Sequence, residues 1–130
     1  MKKFTKILTL SLVLGLTLLF SCSKDKDKAP SGSHKVTFKA VGSTGVAIST
    51  AVYTDGSGKT ESFTTLTGQT WTSTEYTIPA SALVVSFGAQ AAGPNANSTL
   101  VTEIWVDGVK KADGKSTGTI LSATASYTFK

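Results

Sequence analysis

The stretch VAISTAVYTDGSGK, residues 46–59, decides how this chain folds. Val46, Ile48, Thr50 and Val52 recur at every second position, which puts them on one side of an extended strand and leaves Tyr53 on the other. The run then stops on Asp55-Gly56-Ser57-Gly58, residues that tolerate the backbone of a tight turn. Strand followed by turn is the pattern of an antiparallel sheet, and it repeats along the chain.

KVTFKAV (35–41) places Val36, Phe38 and Ala40 together. SFTTL (62–66), TSTEYTI (72–78), ALVVSFGAQ (82–90), STLVTEIWV (98–106) and TILSATASYTF (119–129) complete the set. TDGSGK (54–59), AAGPNAN (91–97) and DGVKKADGK (107–115) lie between them as turns and loops. Thr, Val, Ser and Gly dominate, and no helical periodicity appears after Lys35. The expected fold is therefore all-β: an antiparallel β-sandwich of about seven strands, occupying residues 34–130. The only cysteine, Cys22, lies outside this region, so the sandwich must hold by packing alone.

The 33 residues before it read differently. Met1-Lys2-Lys3-Phe4-Thr5-Lys6 is basic, and Ile7 to Phe20 is an apolar run of 14 residues. As a helix that run would reach roughly 21 Å, short of the ~30 Å hydrocarbon core. A signal peptide over 1–21 is the expectation, with a membrane helix as the alternative. Its end, Leu19-Phe20-Ser21-Cys22, resembles the lipobox of bacterial lipoproteins. That resemblance implies cleavage before Cys22 and acylation of its thiol and new amino group, including palmitate. Ser23 to Ser33, SKDKDKAPSGS, has no large apolar residue, and 22–33 reads as a lipidated cysteine and flexible tether. Its lysine–aspartate run resembles the export signal of some Bacteroidetes surface lipoproteins. The chain is thus expected in the cell envelope, on the outer membrane and facing the cell surface.

Charge excludes one class of partner. All 13 basic residues are lysine, and three leave with the leader. From His34 onward there are 7 lysines against 6 acids. Nucleic-acid binding wants a basic face, usually with arginine, and none is present.

The strands and turns together resemble a family. VTFKAVGSTGVAISTAVYTDGSG, TWTSTEYTIP, LVVSFGAQAAG and VTEIWVDGVKKADGKSTGTILSATASYTF look like the MmpS-like domain, named after mycobacterial membrane small proteins. The resemblance runs over nearly all of 35–130. It implies an Ig-like form of the sandwich and a role as an accessory to envelope transport. It supplies no catalytic motif.

Candidate site residues are few. Trp105 lies between Ile104 and Val106; if those face inward, its indole faces outward, where it can stack a sugar or anchor a protein contact. Tyr53 and Tyr76 are the aromatic neighbours expected to join it. Trp71 is expected to plug the end of the core. His34 is the lone histidine and is expected to be solvated; a metal site or a catalytic triad needs more converging groups. Asp55, Asp107 and Asp113 each precede glycine and read as turn residues. Glu61, Glu75 and Glu103 read as solvated strand positions, and Asn97-Ser98-Thr99 as loop. No catalytic residue, metal or cofactor is expected. A lipid-anchored binding protein that contacts another envelope protein is the leading expectation, and a small carbohydrate-binding module the alternative.

Overall fold

The alternation becomes nine strands and no helix in a computed structural model that describes residues 32–130. The expected leader (1–21) and lipidated Cys22 lie outside the described residues, as does most of the expected tether. The strands are β1 (His34–Gly42), β2 (Ala47–Thr54), β3 (Thr60–Phe63), β4 (Thr70–Thr72), β5 (Tyr76–Ile78), β6 (Val84–Ala92), β7 (Thr99–Val106), β8 (Val109–Thr117) and β9 (Ile120–Thr128). They form two antiparallel sheets. One has the order β4-β1-β7-β8, with β5 also paired to β1; the other has the order β3-β2-β6-β9. The expected all-β sandwich is the observed fold.

Nine strands replace seven for two reasons. Residues 72–78 do not form one strand: β4 pairs with Lys39–Val41 and β5 with His34–Val36. Between them Ser73 bonds Phe38 twice, its N–H donating to the carbonyl (2.9 Å) and its Oγ accepting from Phe38 N–H (3.0 Å). The second reason is β8, which occupies most of the stretch read as a loop. Only Asp107 and Gly108 turn, at φ 52° and 80°. Two consecutive left-handed residues make the tight hairpin turn whose twist matches its strands, and Val106 and Val109 close it as partners.

A second departure lies in β2. The register with β6 slips between Ile48 and Thr50, leaving Ser49 as an extra residue. A bulge of this kind exchanges the two faces of everything beyond it. Val46 and Ile48 point inward before it, and Ala51 and Tyr53 after it. Val52, expected inward with Val46 and Ile48, is turned toward the outer face.

The inner faces meet in one core. Val36, Phe38 and Ala40 from β1 and Leu100, Ile104 and Val106 from β7 pack against Tyr53, Val85, Phe87 and Leu121 of the other sheet. Six rings fill the side nearest β3 and β4. Phe38 stacks on Tyr53 at 4.7 Å between centroids and lies 5.4 Å from Phe87, while Trp71 is 5.2 Å from Phe63 and 5.6 Å from Phe87. Tyr76, 5.0 Å from Tyr53, completes the group. The opposite side is narrow: a Cβ on Gly114 of β8 would sit on the Thr124 carbonyl oxygen of β9. Glycine there lets two backbones approach.

Candidate functional site

Strand β7 buries Leu100, Thr102, Ile104 and Val106, so strict alternation sends Glu103 and Trp105 to the outer face. The indole is half-buried there and pinned from two directions. Its Nε1 donates to Glu103 Oε2 at 2.7 Å, and Lys39 Nζ of β1 stands 4.3 Å from the ring centroid. Pairing explains the lysine's position. Lys39 is opposite Glu103 and Thr37 is opposite Trp105, which makes Lys39 the diagonal neighbour of the indole. A cation over an aromatic face at an exposed site contributes about 0.5–1 kcal/mol. On the other flank Lys110 is paired to Trp105 across β7 and β8 and holds Asp113 at 3.1 Å. Trp105 therefore sits in a lattice of alternating charge.

The two outer faces differ in kind. The face around Trp105 carries Lys35, Lys39, Lys110 and Lys115 with Glu103 and Asp113. The outer face of the second sheet carries no charged residue on any of its four strands. Thr50, Val52, Ser86, Gly88, Gln90 and Thr124 represent it. Gly88 leaves two open hollows of about 300 and 230 Å³. Neither is lined by an ionisable group, so they offer shape and hydroxyls, and no acid or base.

Tyr53 and Tyr76 do not join Trp105. The bulge at Ser49 turns Tyr53 into the core, where it is 2% exposed. Burial, above all, pushes its phenol well above the usual tyrosine range. Its hydroxyl donates to Glu61 Oε2 at 2.8 Å, and Lys59 Nζ holds Glu61 Oε1 at 2.8 Å. The lysine first, and the phenol second, lower the Glu61 carboxyl. Glu61 is thus an acceptor for a core tyrosine and not simply a solvated strand residue. Tyr76 is opposite buried Val36, on the inner side of the sheet. Trp105 is opposite Thr37, on the outer side. The expected aromatic surface reduces to one indole.

His34 is not simply solvated. Its Nδ1 lies 2.7 Å from Asp107 Oδ2, and its ring stacks on Phe129 at 5.0 Å. Asp107 Oδ1 also accepts the Lys35 N–H at 3.0 Å, the main cause of its lowered carboxyl pKa, with His34 second. Among the described residues the His34 ring bonds only Asp107. Asp55 is the turn residue expected, accepting the Ser57 hydroxyl at 2.6 Å and the backbone N–H of Ser57 and Lys59 at 3.0 Å each. The Ser57 hydroxyl is the leading cause of its lowered carboxyl pKa. Asp113 lies within β8 and not in a turn. Trp71 packs inward against Phe63 and Phe87, as expected of a plug.

Among the described residues no three His, Cys, Asp or Glu side chains converge on a metal position. No helix among them is long and apolar enough to cross a membrane. Sequence reasoning aimed Trp105 outward on the same strand face as Glu103, and missed the bond between the two and the lysine over the ring. Lys39 needed the β1–β7 register. Comparison with models of known protein families and with curated proteins finds no match.

Proposed function

We propose that the protein is a lipid-anchored cell-envelope binding domain, without catalysis of its own, that contacts another envelope protein through the β1–β7–β8 face. The observation that carries this reading is Trp105, half-exposed on the outer face near the end of β7, with Lys39 against its ring and Glu103 on its N–H. Tryptophan is among the residues most enriched at protein-contact hot spots, and the charged groups around it suit the polar rim of such a contact. Lys39 occupies space beside the ring that a stacked sugar would need, and neither tyrosine extends the platform. Both points favour a protein over a glycan. The resemblance noted above makes an envelope transport component the first partner to test.

A photocrosslinking residue placed at Thr37, beside Trp105, and at Thr124, on the uncharged face, tests this in intact cells. The expected result is a discrete adduct from position 37, none from 124, and its loss in Trp105→Ala. Equal adducts from both positions, or an adduct indifferent to Trp105→Ala, would remove the assignment. Glycan-array binding lost in the same variant would transfer the face to the carbohydrate reading.

A further inference from the structure

One end of the sandwich gathers features that neither sheet face shares. The described chain begins there: Gly32 packs against Ala80, and His34 is clasped by Asp107 and Phe129. The Pro79–Leu83 loop, the Asp107–Gly108 turn and the C-terminal Phe129 meet around that point, tied by bonds from Asp107 N–H to the Lys35 carbonyl and from Phe129 N–H to the Leu83 carbonyl. Three of the five large apolar side chains exposed on the domain are at this end: Leu83 (75%), Val109 (55%) and Val84 (46%). Tyr127 and Phe129 stand beside them, half-buried and edge to face at 4.9 Å. Lys110, Lys111 and Lys130 supply long cationic side chains. The acids near here are engaged, Asp107 by His34 and the Lys35 N–H, Asp55 by Ser57 and Lys59, Glu75 by Lys35 at 3.5 Å and Asp113 by Lys110 at 3.1 Å. Aliphatic tips, amphipathic rings and lysines are the composition that settles at a membrane interface.

We propose that this end rests on the bilayer surface, with Leu83, Val84 and Val109 at the boundary between headgroups and acyl chains. The inference rests on the lipid-anchor reading of Cys22. Cys22 is ten residues from Gly32, a span of at most about 35 Å. A tether that short holds the domain at an effective concentration on the order of millimolar, so contacts too weak to recruit a free protein are populated once it is anchored. The sheets then stand upright on the membrane, and Trp105, two residues before the Asp107–Gly108 turn, faces sideways toward neighbours in the same bilayer.

The test uses full-length protein purified from cells and reconstituted into phosphatidylcholine–phosphatidylglycerol vesicles. An environment-sensitive dye is placed by S81C, beside Leu83, or by A96C at the far end, with the mass of the Cys22 fragment measured on each sample. Expected are an acylated Cys22, blue-shifted emission with quenching by headgroup spin-labelled lipid at position 81 alone, and a roughly tenfold or greater fall in docked fraction relative to undocked on adding Leu83→Asp. Acylated Cys22 with equal, unshifted emission at both positions overturns the docking and leaves the anchor standing. An unmodified Cys22 thiol overturns the anchor, and the docking with it. Position 81 silent on vesicles but crosslinked to a protein in cells assigns the patch to that protein instead.

Discussion

Replacing Tyr53 separates the two ways this strand can be read. If alternation ran unbroken from Val46 to Val52, the ring would lie on the surface and its removal would cost less than about 0.5 kcal/mol. The structure places it 2% exposed, 4.7 Å from Phe38, 5.0 Å from Tyr76 and 6.0 Å from Phe63. Truncating a buried aromatic side chain costs about 3–5 kcal/mol, and the lost ring pairs push toward the upper half. Tyr53→Ala should therefore destabilise by about 4 kcal/mol, a large part of the 5–15 kcal/mol typical of a domain. Tyr53→Phe keeps the ring and removes its hydroxyl, which donates to Glu61 at 2.8 Å. A bond to a charged group contributes about 1.5–3 kcal/mol when buried. Glu61 is partly exposed and keeps Lys59, so about 1 kcal/mol is expected for the phenylalanine variant. Urea unfolding followed by tryptophan fluorescence reads both, because Trp71 lies in the same cluster of rings. With a slope near 1.5 kcal/mol per molar urea, the midpoint should fall by about 0.7 M for phenylalanine and about 2.7 M for alanine. A loss below about 1 kcal/mol in Tyr53→Ala would refute the inward ring, and with it the bulge at Ser49.

Gly114→Ala should destabilise by about 1–3 kcal/mol, read in the same urea titration, because its Cβ meets the backbone of β9, which cannot step aside as a side chain can. Asp107 has a lowered folded carboxyl pKa, so it binds fewer protons than in the unfolded chain; its contribution is full above about pH 4 and is lost as pH falls through the folded value. Asp107→Asn, which tolerates the same left-handed backbone, should therefore flatten the acid limb of a stability–pH curve while leaving the hairpin in place by NMR. Tyr53 gives the opposite limb. Its folded phenol stays protonated where the unfolded one ionises near pH 10, so stability falls as pH rises past that point. In Tyr53→Phe that part of the alkaline decline should vanish.

How much of this was legible follows from what each strand faces. β1, β6 and β7 bury a residue at every second position, large ones such as Phe38, Phe87 and Ile104 among them, and a period of two announces them. β8 carries Ala112, Gly114 and Ser116 on its inner side because β9 passes too close for anything larger. A strand without bulk on either side reads as loop, and its lysines, which belong to the outer face, reinforce the error. The signal that could have found it was the spacing: Asp107-Gly108 directly between VTEIWV and VKKADG is a two-residue hairpin signature, and reading the stretch as one long loop passed over it. Ser49 left no comparable mark, since an extra small polar residue in a run of Ser, Thr and Ala changes no pattern until the partner strand is known.

The same cause limited the site. Burial on one face of β7 was enough to aim Trp105 outward, since Ile104 and Val106 are plainly core residues. Its chemistry came from elsewhere. Lys39 meets the indole only because β1 pairs with β7 in the register that sets Phe38 opposite Ile104, a partner 66 residues away in sequence. Tyr53 and Tyr76 fail as surface aromatics for the complementary reason: each is opposite, or in line with, a residue the core requires. An exposed functional residue on a sheet is thus specified twice, by its own strand for direction and by its neighbours for company. The first is local and readable. The second resides in pairing, which is why one aromatic of the three kept its place on the surface and the lysine beside it went unforeseen.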